Sequence, residues 1–237
     1  MKKFKLFCLP HAGGNRYAYK KFADCAPAFL DVVLLEYAGR GEKIRQQPIT
    51  DVLALAAAMA EEIKKQINVP FAIYGHSMGS LVGLLATRIL RRDNVALPKF
   101  LFFTGSEGPS TRTHPRTRHL LPKPDLIEEL RSLGGLSDEV LSHPDIFDFF
   151  ETIIRADFQA IETYRYTPEP PLNIPITIAI GTQEEVTLTE ARSWQQETRE
   201  PLEVMQFSGR HFFIFSHVEK IMKLIGEKIM EEDYSTQ

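Results

Sequence analysis

The sequence is poor in cysteine, in long apolar runs and in net charge, and each scarcity removes a class of protein. Only Cys8 and Cys25 occur among 237 residues. With no secretion signal beside them, the expectation is two free thiols in a reducing compartment, a single disulfide being the alternative. The longest unbroken apolar run lies within Val52–Ala60, less than half of the roughly 20 residues a membrane helix needs. At the N-terminus Lys5 and Pro10 break up the stretch a signal peptide would keep apolar, and no small-residue cleavage site follows. The chain is therefore expected in the cytoplasm, with no membrane partner. Charge of one sign is missing too: 28 Lys+Arg face 31 Asp+Glu, a formal net charge of -3, which argues against nucleic acid as a partner. H-E-x-x-H and C-x-x-C are both absent, so no metal site is expected.

What remains is ordinary globular material, 43% hydrophobic and 25% charged. Short apolar runs alternate with helical periodicity, the pattern of an α/β protein with a mainly parallel central sheet flanked by helices. Strands are predicted at Lys5–Leu9, Val32–Glu36, Phe71–Tyr74, Phe100–Thr104, Ile176–Ile180 and Leu202–Phe207, and helices at Tyr17–Cys25, Asp51–Gln66, Ser77–Arg92, Glu190–Glu197 and Val218–Glu231. Thr50 or Asp51 would cap the second helix. From about Pro109 to Pro171 no strand pattern occurs, only prolines and helical segments near Asp125–Leu133, Asp138–Leu141 and Asp145–Tyr164. The expectation is one α/β domain over residues 1–237 with a helical lid insertion at about 109–171; connecting helices packed on the sheet are the alternative.

Tyr74-Gly75-His76-Ser77-Met78-Gly79-Ser80 fits G-x-S-x-G between a predicted strand and a predicted helix. That context makes a sharp turn on which Ser77 is exposed as a nucleophile, with the Met78 amide at the helix N-terminus facing a developing oxyanion. A serine hydroxyl needs a base, usually histidine. Of seven histidines, His211 follows the last predicted strand, where the order Ser…acid…His of α/β hydrolases places it. His217 is the alternative, and His76 reads as packing beneath the turn. The acid should follow the strand Ile176–Ile180, yet the loop Gly181-Thr182-Gln183-Glu184-Glu185-Val186 holds no aspartate. Glu184, three residues after Gly181, is the first candidate, Glu185 the second, and Glu107, one strand earlier, the third. Any of them could fix the imidazole tautomer and stabilise the imidazolium. After the first strand, Leu9-Pro10-His11-Ala12-Gly13-Gly14 lacks the features of a phosphate loop and suits the second oxyanion donor, the Ala12 amide.

Taken together, these residues resemble the stand-alone type II thioesterases that serve nonribosomal peptide and polyketide synthases. The resemblance runs through Leu9-Pro10-His11-Ala12-Gly13-Gly14, Tyr37-Ala38-Gly39-Arg40-Gly41, Gly75-His76-Ser77-Met78-Gly79 and Leu133-Gly134-Gly135. It continues through Arg155-Ala156-Asp157-Phe158, Trp194 with Thr198, and Gly209-Arg210-His211-Phe212-Phe213. It implies hydrolysis of stalled or misloaded acyl groups from the phosphopantetheine thiol of acyl or peptidyl carrier domains. No cofactor of the enzyme's own is implied, and a monomer is expected. The chain departs from the family at the acid, where aspartate is usual, and at Arg210, where a second glycine is usual.

Between Pro109 and Pro124 stand Arg112, Arg116, Arg118 and Lys123 with no acid. Arg112, Arg116 and Arg118 would attract a pantetheine phosphate or an acidic carrier helix; a solvated lid entrance is the alternative. Two rival functions stand beside the thioesterase: a general small-molecule serine esterase or lipase, and a noncatalytic hydrolase-fold binding protein. A fused terminal thioesterase is disfavoured by a first strand that begins so near Met1.

Overall fold

A strand without a polar face has to be covered on both sides, and the central strands here are of that kind. In the computed structural model, which describes residues 4–111, 117–135 and 138–235, β1 (Phe4–Leu9), β2 (Leu30–Leu34), β3 (Phe71–His76), β4 (Leu101–Thr104), β5 (Ile176–Gly181) and β6 (Glu203–Phe207) pair in parallel in the order β2-β1-β3-β4-β5-β6. β3, β4 and β5 are buried at every position. The period of two sorts alternate residues to two faces. Phe7, Leu9, Ile73, Phe103 and Ile178 pack under α2 (Val52–Lys64) and α3 (Met78–Arg92). Leu6, Cys8, Tyr74 and Phe102 pack under α1 (Lys20–Asp24) and α8 (Val218–Ser235). Cys8 and Cys25 are both free thiols.

Between β4 and β5 the chain makes α4 (Lys123–Leu133), α5 (Asp138–Ser142) and α6 (Pro144–Glu162), with a small core of their own built from Leu126, Leu130, Leu141, Phe147, Ile154 and Phe158. α4 stops at Gly134, which takes the left-handed conformation (φ +79°) that glycine adopts without strain. Asp51, not Thr50, caps α2, its Oδ1 accepting the Ala54 N–H (2.8 Å). No helix among the described residues is long and apolar enough to cross a membrane.

Three elements differ from the sequence expectation, each for a local reason. The segment expected as one helix at Tyr17–Cys25 divides into a 3₁₀ turn, Arg16–Tyr19, and α1. Asn15 starts the turn by accepting from the Tyr17 and Ala18 amides. α7 (Leu188–Arg192) begins before Glu190 because Thr187 and Glu190 form a reciprocal capping box. It then tightens into a 3₁₀ turn, Ser193–Glu197, in which Trp194 Nε1–H donates to the Ser106 carbonyl (2.9 Å) and Glu197 meets the buried Arg88. β2 lies two residues earlier than expected, since Leu30 is already in register with Phe4 and Glu36 turns away to accept the Arg16 N–H (3.2 Å).

The start of α3 lies directly against the end of β1. A Cβ on Gly79 would sit 2.2 Å from the Leu9 carbonyl oxygen and 2.9 Å from that of Pro10. Gly79→Ala should therefore lower stability by about 3 kcal/mol, the upper range for overpacking. Chemical denaturation of the purified variant measures this, and unchanged stability would contradict the close approach.

Candidate active site

Ser77 stands between β3 and α3 at φ +55° and ψ −113°, a strained conformation for a residue with a Cβ, costing of order 1–3 kcal/mol. The surroundings hold it there. Ser77 N–H donates to the Thr104 carbonyl (2.8 Å), and Ser80 Oγ donates to the Gly75 carbonyl (3.0 Å). A side chain on Gly75 would place its Cβ 2.3 Å from the Gly79 carbonyl oxygen. Both glycines of G-x-S-x-G are thus spent on backbone passing backbone.

His211 sits on the turn after β6. Its Nδ1–H donates to Glu184 Oε2 (3.0 Å), and the Gly181 N–H donates to Glu184 Oε1 (3.0 Å). With its side chain 1% exposed, Glu184 has one oxygen for the backbone and one for the imidazole, which leaves Nε2 as the basic nitrogen. Glu185 points elsewhere, to Arg118 at 3.6 Å, and Glu107 lies in the cavity wall. His217 Nε2–H donates to the Ser208 carbonyl (2.9 Å) before α8 begins.

The loop after β1 can be accounted for donor by donor. Pro10 has no N–H, and its carbonyl accepts from the buried Tyr37 hydroxyl (3.1 Å). His11 N–H donates to Tyr19 Oη (3.3 Å), Gly13 N–H to Asp157 Oδ2 (2.7 Å) and Gly14 N–H to the His11 carbonyl (3.0 Å). Ala12 N–H takes no partner from the described residues. Asp157, wholly buried, is also gripped by Arg40 through two bonds of 2.6 Å, while Arg40 Nη1 donates to the Gly14 carbonyl (3.0 Å). Both residues belong to the segments that carry the family resemblance, yet neither had a role assigned from sequence. A signal was there: Asp157 shares its helix face with Ile153, Ile154 and Ala160, where only a paired carboxylate belongs.

Ser77, His211, Glu184 and Ala12 line one cavity of about 330 Å³. Leu130, Leu133, Ile154, Phe158 and Phe212 give it an apolar wall. Two further histidines are buried beside it. Burial, then the neighbouring His211 and Arg40, lowers the pKa of His11 to about 3. Burial, then His211 and His11, holds His76 well below the usual range. His76 donates from Nδ1 to the Thr104 carbonyl (3.1 Å), and its ring centre is 4.8 Å from that of His211.

Of the cations expected to attract a phosphate, Arg112 and Arg116 lie outside the described residues. Arg118 borders the cavity but is occupied: it pairs with Glu129 (2.6 Å) as well as Glu185, and its guanidinium lies over the Phe158 ring. Lys123 pairs with Asp148 and Glu151. These two positive charges are balanced by acids supplied from α4, α6 and the loop after β5.

Residues 4–229 match the thioesterase domain family. The chain belongs to that family. Among thioesterases and their relatives, it is 31% identical to the gramicidin S biosynthesis protein GrsT of Aneurinibacillus migulanus, over 96% of this chain and 89% of that protein. The solved structure of the type II thioesterase BorB from the borrelidin biosynthetic cluster superposes with a TM-score of 0.87 at 32% identity, covering 95% of this chain and 92% of BorB. ClbQ from the colibactin NRPS/PKS pathway gives a TM-score of 0.92 at 26% identity, covering 98% and 99%. The fold is that of the α/β-hydrolase thioesterases.

The buried histidines tie this thioesterase's stability to pH. His11 and His76 stay neutral when folded but take up a second ring proton normally when unfolded, so the unfolded state gains protons as pH falls below about 6.5 and stability drops down to the folded pKa. Each contributes up to about 1.4 kcal/mol per pH unit in that window. His76→Asn, which keeps a donor for the Thr104 carbonyl, should flatten the fall between pH 6 and pH 4 by about one proton's worth. Denaturation at each pH measures it, and an unchanged slope would contradict the assignment.

Proposed function

We propose that this thioesterase hydrolyses acyl thioesters from the phosphopantetheine arm of acyl or peptidyl carrier domains, clearing stalled or misloaded groups from a cytoplasmic assembly line. The observation that carries the reading is the shared cavity, lined together by a serine on a strained turn, a histidine tethered to a buried glutamate and Ala12, whose amide has no acceptor among the described residues. Ser77 Oγ attacks the thioester carbon and passes its proton to His211 Nε2. The carbonyl electrons move onto oxygen, where the Met78 and Ala12 amides receive the charge. As the intermediate collapses, the C–S bond breaks and the thiol takes the proton from His211. Water then attacks the acyl-serine, gives a proton to His211, and the ester bond to Ser77 breaks with return of that proton to Oγ. The imidazolium formed twice in each cycle rests on Glu184, which need not accept a proton itself. The sequence of steps uses no cofactor.

Thiolates leave readily, so the same machinery would also cleave activated esters, and the substrate must be distinguished by experiment. Release of acyl groups from a loaded carrier should exceed hydrolysis of a simple ester of the same acyl group. Faster turnover of the ester would favour a general esterase. Ser77→Ala should abolish both activities. Glu184→Gln should lower kcat by up to about 10⁴-fold, and by more than Glu107→Gln. Steady-state kinetics on the three variants decide the assignment, and a larger loss at Glu107 would move the acid to that residue.

A further inference from the structure

The loop that carries Ala12 is held by a residue of the helical insertion. Asp157 lies on α6, 144 positions along the chain from Gly13, yet its Oδ2 accepts the Gly13 N–H at 2.7 Å. The contact is close throughout. Gly13 adopts φ +74°, and a Cβ there would meet Ile154 Cγ1 of the same helix at 2.9 Å. Arg40 closes the arrangement from a third element, gripping both carboxylate oxygens of Asp157 and the Gly14 carbonyl. The segment that follows Ala12 is thus held at the Gly13 N–H and at the Gly14 carbonyl, and the Ala12 N–H is the one backbone donor of Pro10–Gly14 without an acceptor among the described residues.

From this geometry we infer that Asp157 is a positioning residue for the oxyanion-binding amide of Ala12, held in place by Arg40, so that the insertion helix and the reacting carbonyl are mechanically joined. The inference rests on the serine hydrolase reading of the cavity, and it extends that reading to the acyl chain. Ile154, Phe158 and Ile161 of α6 form part of the cavity wall, one helical turn or less from Asp157. An acyl group that seats against this face steadies the same helix that aims the Ala12 N–H. One that displaces α6 turns the amide away and lowers kcat instead of KM. The link from chain to rate passes through the Gly13 N–H bond to Asp157 and, by way of Arg40, through the Gly14 carbonyl.

The buried charge makes the obvious variants risky for folding, since removing one partner leaves the other unpaired. The test therefore uses Asp157→Asn together with the double variant Arg40→Gln/Asp157→Asn, which loses both charges at once. An acyl-pantetheine thioester and a p-nitrophenyl ester of the same acyl group serve as substrates. Both pass through a tetrahedral oxyanion, so the ester tests this inference even if the carrier-bound substrate is wrong. Active serine is counted with a fluorophosphonate, and rates are expressed per labelled Ser77. Asp157→Asn should lower kcat about 10²-fold, the effect of roughly 1 Å of misplacement at a reacting centre, with KM changed less than threefold. A trifluoromethyl ketone analogue, which binds as a tetrahedral oxyanion, should lose affinity by a similar factor. A non-hydrolysable thioether, which places no charge on oxygen, should bind as before. The double variant should recover solubility and show an intermediate loss of about tenfold. Should Asp157→Asn fail to fold, the double variant decides alone. Unchanged kcat and unchanged trifluoromethyl ketone affinity in the folded variants, whatever their thermal midpoints, would overturn the inference and reduce the pair to a structural one. Failure of the wild type to turn over either substrate, or survival of activity in Ser77→Ala, would instead sink the hydrolase reading.

Discussion

The buried pair between Arg40 and Asp157 joins three parts of the chain that share no sheet hydrogen bonds: the loop after β1, the loop after β2 and the insertion helix α6. Taking two such charges out of water costs several kcal/mol per ion before any return. The return here is geometric. Asp157 is wholly buried and Arg40 nearly so, and the carboxylate accepts three bonds while the guanidinium reaches a backbone carbonyl besides. Two apolar residues of similar volume could fill the space, but they could not hold the Gly13 amide or define where α6 sits relative to the sheet. The pair fixes an arrangement more than it adds stability.

The sheet itself is a simpler matter. Strands covered on both faces have to be apolar throughout, and that is why Phe71–Tyr74 and Ile176–Ile180 stand out as strands in the sequence. The strained turn at Ser77 was legible for a related reason, since glycines at both flanks have few other uses between an apolar strand and a helix. Glu184 could be placed ahead of Glu185 by its distance from Gly181, but the cause of that spacing shows only in space, where the carboxylate also takes the Gly181 amide. Arg40 and Asp157 are 117 positions apart, and no local pattern says that a cation in one loop belongs to an anion on a later helix. In the positive stretch at Pro109–Pro124, the two described cations have neighbours that the chain order does not show. Counted along the chain it has no acid, yet Glu129, Glu185 and Asp148 meet the charges of Arg118 and Lys123 from neighbouring elements.

Around the cavity, burial and charge act together on the imidazoles. His11, His76 and His211 are neighbours, with His76 in the middle. A proton on either outer ring raises the cost of a second nearby, and Arg40 adds to it at His11. Only His211 has a carboxylate within bonding distance. Two of the three rings are therefore held neutral, and the third is the one tied to a buried carboxylate.

An open sheet must also deal with its two ends. Among the described residues β2 and β6 each have one side without a neighbouring strand, and a bare row of amides and carbonyls invites pairing with another molecule. β2 carries the exposed Asp31 near its start, and Lys5, Arg16, Glu42, Lys43 and Glu62 border the groove beside it. On β6, Glu203 is bonded to Thr177 and Lys228. An incoming strand would have to strip water from these charges before making its first backbone bond. Edges guarded in this way are poor templates for a second copy of the chain.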